Sequence, residues 1–535
     1  MSSTILIQDD QGQEEPHLNE QHLLSITAIF KTMCRLSWPT ALSYTFSFQM
    51  VLLTILSRQL GQDKNHQDAA ALMTTFVNCI TTVSVSPLFA SSMKAGYLIG
   101  QLKQSEQLLN NERPDEIEDC DVLQKKITET FRSSLMLAEG LLSPFAAIGL
   151  VFSKDILSTV LRQDEDVSSI VQRFTRPYAA TMPALMLRMC AEQQMFAQGK
   201  NTPPMIMAQI SFLSSMFAGA ALAEGWLGLP KYGEDALLVA CIAEAYTTAI
   251  AFSLYLLIHN DFRKFEFFDL TKPVTYLKEI FSSITRLGAS FPLPFLIEFG
   301  MNFGATTIAS YNGVASQTRM GMMMQYGLPV QLLSSAFGQC TAQEMSRRIG
   351  EDDKHNAARI GTVGLSAAVF NIAPIAIFFA IFPNLLDGKT HVDDSSSTTR
   401  VLALTMSAGF IFDVVRFNML QQLRVLGDSN MSAFFSCMSL IIGLAASVVL
   451  TTQTNLDVIG DAMGYVFGNL LGCLVLGYRW YPKISELTQS ETPTNTESTP
   501  IGFFAQTQER PTSLEQSLLE EHNANENGMD YGSSV

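Results

Sequence analysis

Residues 402–428 read LALTMSAGFIFDVVRFNMLQQLRVLGD, an apolar run with the acidic residue Asp413 near its middle. A carboxylate in the hydrocarbon core of a bilayer costs roughly 2.5–3.5 kcal/mol on insertion scales, so we expect Asp413 to face protein or water and to mark an ion path. A second acid, Glu298, lies in another apolar run, FPLPFLIEF at 291–299. Two such acids in one chain favour a cation-coupled transporter over a soluble enzyme.

The composition is that of a multi-pass membrane protein. The chain has 535 residues, of which 47% are hydrophobic and 16% charged, whereas soluble domains are about 25% charged. Its apolar residues form runs close to the roughly 20 residues that cross a bilayer. Twelve predicted spans lie near 37–57, 70–93, 133–152, 178–198, 205–228, 235–259, 287–310, 318–345, 358–383, 400–424, 431–451 and 459–480.

Most of the net charge of −16 belongs to the two ends of the chain. Residues 1–22 hold five acids without Lys or Arg, and residues 484–535 hold nine acids and one Arg. We interpret both ends as solvated, disordered tails. Their acidity is therefore no argument for a cationic substrate, and the absence of a basic patch predicts that nucleic acid is not a partner.

No sequence motif indicates enzymatic chemistry. There is no Gly-x4-Gly-Lys-Ser/Thr loop for ATP hydrolysis, the seven His show no metal-binding spacing, and the eight Cys form no CxxC pair. We therefore predict that the chain is not an enzyme and holds no cofactor beyond a coupling ion.

The distribution of Lys and Arg predicts the orientation. With a cytoplasmic N-terminus, the cytoplasmic connections would hold twenty basic residues and the opposite side ten. Cytoplasmic loops carry the excess of Lys and Arg in membrane proteins. Both termini are therefore predicted to be cytoplasmic, in a multi-pass protein of the bacterial inner membrane.

Short motifs repeat in the same order in the two halves of the chain. RLSWP at 35–39 is echoed by RLGASFP at 286–292, and LIGQ at 98–101 by AFGQ at 336–339. Parallel halves are a known transporter plan, with the substrate between them. The predicted domains are an acidic tail at 1–32, an N-lobe at 33–260, an amphipathic linker at 261–282, a C-lobe at 283–481 and an acidic tail at 482–535.

These repeated motifs resemble the MATE (multidrug and toxic compound extrusion) family over about 33–481. The residues that carry the resemblance are Leu36-Ser37-Trp38-Pro39, Leu60-Gly61, Gly100-Gln101, Gly338-Gln339 and the stretch from Phe412 to Asp428. The resemblance implies an all-α membrane protein with twelve transmembrane helices in two six-helix lobes. It also implies alternating access driven by Na⁺ or H⁺.

The resemblance to the NorM-like branch also implies a cation site. There, an acid of the seventh helix and one of the tenth bind the coupling ion, and Glu298 and Asp413 match them. Asn302, four residues after Glu298, can share its helix face and offer an amide oxygen. Arg416, three residues after Asp413, leaves a second interpretation open, in which Asp413 and Arg416 form a static ion pair and Glu298 alone titrates.

In the first helix the chain departs from the family pattern. Leu53 stands where the family has an Asp, and Arg58 replaces a Gly. The N-lobe proton switch of much of the family is therefore in question here.

Several other charged residues are predicted within the spans. Lys94, Glu244 and Arg416 are candidate cavity charges, although charges near helix ends often extend to the membrane surface instead. Arg188 and Glu192, four residues apart, are predicted to pair on one helix. Several charges in one cavity would favour a polar or anionic substrate.

Three functions remain open at this point. The first is a monomeric secondary antiporter that exports small organic compounds in exchange for Na⁺ or H⁺. The second is a flippase-like carrier of an anionic lipid-linked substrate. The third is a membrane effector or interaction protein that does not transport. The acidic C-terminus resembles signals of bacterial type IV secretion substrates, which would make delivery to a host membrane an alternative location.

Overall fold

The computed structural model describes residues 24–44, 64–110, 120–160, 163–228, 230, 232–269, 275–310, 314–382, 396–454 and 456–489. This part of the chain is helical and forms twelve long segments, several with short internal breaks. They are α1 Ile26–Ser43, α2 64–110, α3 Cys120–Val151, α4 165–197, α5 Thr202–Glu224, α6 Glu234–Ile258, α7 277–310, α8 Val314–Gly350, α9 Lys354–Ile381, α10 Ser396–Val425, α11 Ser429–Gln453 and α12 Asp457–Gln489.

The described part of the chain is all-α, and its twelve helical segments fall into two sequence halves of six. Among the described residues, nine helices are long and apolar enough to cross a membrane. Three of the twelve predicted spans are not among them. The first runs into 45–63, outside the described residues. The fourth and eighth carry polar side chains that are buried within the protein, such as Glu192 and Gln339.

The two halves end corresponding helices with the same kind of turn. Gly199 follows α4 with a φ of 70°, and Gly427 follows α10 with a φ of 83°. A side chain is strained in this left-handed conformation, so glycine is favoured at both positions. The next helix begins at once, at Thr202 in the first half and Ser429 in the second.

Proline and π-helical segments divide some of the long helices. Helix α7 consists of Leu277–Gly288 and Pro292–Ser310, and Pro292 has no N–H with which to continue the ladder. Helix α3 contains a π-helical turn at Ala138–Leu142. Such turns re-aim the side chains that follow them.

Some helix bounds differ from the predicted domain bounds. Helix α1 begins at Ile26, inside the predicted tail 1–32, and α12 continues to Gln489, beyond the predicted end of the C-lobe at 481. Both extensions contribute buried apolar side chains, such as Ile29 and Leu487. Residues 1–23 and 490–535 lie outside the described part, so the predicted tails remain predictions.

The predicted linker 261–282 packs against α3 where it is described. Phe262, Phe265 and Phe267 are buried, and the rings of Phe131 and Phe267 lie 5.1 Å apart. The carboxylate of Glu129 accepts hydrogen bonds from the backbone N–H groups of residues 275 and 276, at 2.8 and 2.6 Å. The segment that joins the halves is therefore tied to the first half.

Helices α2 and α8 bring the two halves into close backbone contact. A Cβ at Gly100 would lie 2.1 Å from the carbonyl oxygen of Arg347, and one at Gly350 would lie 2.1 Å from that of Tyr97. Next to this crossing, the ammonium of Lys103 lies 3.0 Å from the carboxylate of Glu351. The two repeated GQ motifs, Gly100-Gln101 on α2 and Gly338-Gln339 on α8, therefore lie on two helices that contact each other.

Adding a methyl group at this crossing should destabilise the protein. We expect Gly350→Ala to lower the free energy of unfolding by about 1–3 kcal/mol, because backbone atoms cannot yield as side chains do. Gly300→Ala on α7 is the matched control, since no atom lies within 4 Å of its added Cβ. Unfolding in detergent, followed by tryptophan fluorescence, measures both. Equal stability of the two variants would contradict the close contact.

Candidate functional site

A buried arginine joins the two predicted acids. The Nη2 atom of Arg416 lies 2.5 Å from Oδ1 of Asp413 and 3.3 Å from Oε2 of Glu298. Asp413 and Arg416 belong to α10 and Glu298 to α7, so the guanidinium bridges two helices. We call Glu298, Asp413 and Arg416 the C-lobe charge cluster.

Two more helices complete the environment of the guanidinium. Its Nη1 donates to the hydroxyl of Ser436 on α11 at 2.6 Å, and its Nε donates to the amide oxygen of Asn469 on α12 at 2.9 Å. Gly472 makes space for the arm, since a Cβ there would lie 2.7 Å from Cδ of Arg416. Four helices therefore converge on one cation.

The members of the cluster differ in exposure. The Arg416 side chain is 0% exposed, that of Asp413 3% and that of Glu298 14%. With both acids ionised the cluster carries one net negative charge. Glu298 is therefore the acid through which an ion from solution can most readily approach.

Asn302 lies one turn after Glu298 on α7 and is half-buried. Its spacing from Glu298 places it on the same helix face. Its role as a cation ligand remains a prediction.

The sequence analysis missed the α12 side of this site. Asp461, Tyr465 and Asn469 follow each other at intervals of four along α12 and are all buried. Neither carboxylate oxygen of Asp461 has a hydrogen-bond partner in the described part of the chain. The signal was present, because Asp461 is an acid inside the twelfth predicted span and Asn469 is an amide two turns later.

A second polar cluster lies in the first half. Arg188 on α4 lies 3.3 Å from Glu244 on α6 and donates to the carbonyl oxygen of Ser43 at 2.8 Å. The predicted pair of Arg188 with Glu192 is therefore wrong as the main contact: the guanidinium is oriented across to α6. Glu192 is electrostatically coupled to Arg188, but neither of its carboxylate oxygens has a hydrogen-bond partner within the described residues.

The other candidate cavity charge is Lys94. This residue is buried on α2, and its ammonium lies 5.8 Å from the ring centroid of Tyr97. The first-helix positions Leu53 and Arg58 lie outside the described residues.

A chain of hydrogen bonds connects the two halves beside Glu192. The amide of Gln339 on α8 donates to the side-chain oxygen of Gln193 on α4 at 2.5 Å. The hydroxyl of Tyr44, directly after α1, donates to the amide oxygen of Gln339. We call this chain Tyr44–Gln339–Gln193 the interlobe link.

A family model and a curated relative both match the sequence of this chain. A family model described as MatE matches residues 124–220, from α3 into α5. The probable multidrug resistance protein NorM of Pseudomonas putida is 24% identical over 379 residues, which cover 66% of this chain and 78% of that protein. The chain is therefore similar to the MATE family in sequence.

Solved structures show that the fold is that of MATE transporters. The eukaryotic MATE transporter AtDTX14 superposes with a TM-score of 0.67 at 13% identity, covering 87% of this chain and 99% of that chain. The Vibrio cholerae MATE transporter VcmN in its bent form gives 0.65 at 13% identity, covering 86% and 98%.

A third solved structure, a MOP superfamily transporter from Pyrococcus furiosus, gives a TM-score of 0.67 at 13% identity, covering 86% of this chain and 97% of that chain. Its description reports a reversed polarity of the binding pocket. At this level of identity the match is evidence for the fold alone.

Removing Arg416 should leave two buried carboxylates unpaired. We expect Arg416→Gln to lower the free energy of unfolding by about 3–5 kcal/mol, as for other broken buried ion pairs. The triple variant Arg416→Gln, Glu298→Gln and Asp413→Asn should recover much of this loss, because no charge remains. Unfolding in nanodiscs compares the three proteins. A single variant as stable as the wild type would contradict the bridging role of Arg416.

Proposed function

We propose that this chain is a secondary active antiporter that exports small organic compounds, xenobiotics or metabolites, in exchange for Na⁺ or H⁺ by alternating access. The observation that carries the proposal is the C-lobe charge cluster, in which two carboxylates and one guanidinium from α7 and α10 are buried together. Charges at this depth are costly, and those that membrane proteins keep commonly mark ion pathways. The resemblance of the chain to a probable multidrug resistance protein supports the export direction.

Of the two coupling ions, the geometry favours H⁺. A sodium ion between Glu298 and Asp413 would compete with the like charge of Arg416, which already contacts both carboxylates. A proton needs no shell of oxygen ligands and can bind to Glu298 from the side that is exposed. Once neutral, Glu298 loses its attraction to Arg416, while the shorter contact of Arg416 with Asp413 within α10 persists.

The release of Glu298 has a direct path to the other half of the protein. One turn before Glu298 on α7, the ring of Phe295 lies 6.3 Å from that of Phe89 on α2 and 5.7 Å from that of Phe417 on α10. Helix α7 therefore packs between the tenth helix and the first half. Loosening of the α7–α10 contact changes how the two halves can tilt.

The proposed setting is the bacterial inner membrane, with both termini in the cytoplasm and a monomer surrounded by lipid. The protein is a multi-pass membrane protein, and the excess of Lys and Arg in the predicted cytoplasmic connections supports the orientation.

The flippase-like alternative has less support. An anionic lipid-linked substrate needs cationic side chains in the cavity, and Arg188 is occupied by Glu244. Lys94 remains the candidate cation for that function. An effector without transport activity depends on the acidic tails, which lie outside the described residues.

Transport of a fluorescent organic dye by proteoliposomes tests the proposal. We expect an imposed pH gradient to drive dye transport, and Glu298→Gln or Asp413→Asn to reduce the rate by about tenfold or more, because the coupling carboxylates are lost. Glu165→Gln, which alters an exposed acid paired with Lys154, is the control and should transport as the wild type does.

Each result has a separate meaning. Transport driven by a sodium gradient and not by a pH gradient would keep the antiporter and reject the choice of H⁺. Gradient-driven transport that survives both substitutions would reject the cluster as the coupling site. Wild-type protein that moves no dye under either gradient, and none of a panel of metabolites, would reject the antiporter.

A further inference from the structure

Glu192 on α4 is a buried carboxylate whose oxygens accept no hydrogen bond in the described part of the chain. The side-chain oxygen and nitrogen of the nearby Gln194 are also without partners in that part of the chain. Buried polar groups almost always have partners, and an unpaired buried charge is strongly unfavourable. Glu192 therefore needs something that binds it.

The neighbouring polar groups are already committed. Arg188, one turn earlier, contacts the carboxylate of Glu244 at 3.3 Å and donates to the carbonyl oxygen of Ser43 at 2.8 Å. The hydroxyl of Ser43 lies close to Glu192 but donates to the carbonyl oxygen of Thr40 at 2.8 Å. Neither group completes the environment of the Glu192 carboxylate.

The surroundings restrict what can bind. A metal ion needs several oxygen or nitrogen ligands, and the described residues contain no group of three or more His, Cys, Asp or Glu that could hold one. Glu192 is 0% exposed, which favours the smallest cation, H⁺, over an organic cation. We propose that Glu192 is a proton-binding site of the N-lobe, separate from the C-lobe charge cluster.

The interlobe link gives this site a mechanical consequence. Gln193, the next residue, accepts from Gln339, and Gln339 accepts from the hydroxyl of Tyr44. Tyr44 is also electrostatically coupled to Glu192. An ionised carboxylate is a stronger acceptor than an amide oxygen. We therefore expect an ionised Glu192 to compete with Gln339 for the Tyr44 hydroxyl and to weaken the connection between the halves.

Other charged or titratable groups surround this part of α4, and the test must separate them from Glu192. Arg188 and Tyr44 are the two that couple to Glu192 directly. The groups on the helical segments that pack against this part of α4, and on α4 itself, include Tyr44 after α1, Lys94 on α2, Glu129, Arg132 and Glu139 on α3, Tyr178, Arg188 and Cys190 on α4, Cys241 and Glu244 on α6 and Cys340 on α8.

Infrared difference spectroscopy of the full-length protein in nanodiscs tests the site. The band of protonated carboxylic acids should fall as the pH is raised, and part of this change should survive in the double variant Glu298→Gln, Asp413→Asn. Adding Glu192→Gln to the double variant should reduce that part by about one proton per chain, and the share of the buried Asp461 should remain. Glu192→Asp should retain a titrating band at a shifted position.

The matched control is Glu344→Gln, because the Glu344 carboxylate is mostly buried and already paired with Arg347 at 2.6 Å. It should leave the band unchanged. Gln has nearly the shape of a protonated Glu, so Glu192→Gln should unfold at or above the wild-type temperature. An unchanged band in Glu192→Gln would overturn the proposal, as would a change of equal size in Glu344→Gln.

A second readout follows the interlobe link. The distance between spin labels on the outer ends of α5 and α11 should be broadly distributed and dependent on pH in the wild type. In Glu192→Gln it should be narrower and independent of pH. A distribution that responds to pH in the same way in both proteins would overturn the mechanical role. None of these readouts needs transport, so they can fail or succeed independently of the proposed antiport.

Discussion

The cost of burying a charge at membrane depth is the constraint on which this protein depends. In the C-lobe the guanidinium of Arg416 offsets this cost. It donates to one acceptor on each of four helices: Asp413, Glu298, Ser436 and Asn469. Because all four contacts converge on one planar group, the relative positions of α7, α10, α11 and α12 are fixed together. A change in one partner's charge is therefore a change in helix packing, which is what coupling between an ion and a conformational cycle requires.

Small residues make this convergence possible. Helices α11 and α12 approach so closely that a Cβ at Gly443 would lie 2.6 Å from the Cα of Gly468. Side chains without bulk let helix backbones approach within membranes, where apolar surface alone gives no preference for protein over lipid. The same device joins the halves, where Gly100 and Gly350 meet backbone atoms of the opposite helix. Glycine therefore allows the close backbone approach both within the C-lobe and between the halves.

The buried acids of the two lobes differ in the partners that they contact. In the C-lobe the acids of the charge cluster share a resident cation, whereas in the N-lobe Arg188 contacts Glu244 and Glu192 accepts no hydrogen bond from any described residue. The first-helix carboxylate typical of the family is absent from the sequence at Leu53. With Glu192 as a proton site, the N-lobe regains a titrating group on a different helix, beside the hydrogen bonds that connect the lobes.

The sequence by itself determined the membrane class, the repeat and the two acids that meet. The lengths of the apolar runs and the repeated motifs are local properties of the sequence. The twelve spans, their division into two halves and the two acids Glu298 and Asp413 could therefore be predicted from the sequence. Tertiary structure decided which charges neutralise each other. The spacing of Arg188 and Glu192 suggested a pair on one helix, yet the arginine contacts Glu244, 56 residues away. Arg416 likewise contacts Glu298 on another helix as well as Asp413, three residues before it on α10. Long flexible side chains select partners by the packing of whole helices, and no sequence spacing encodes that packing.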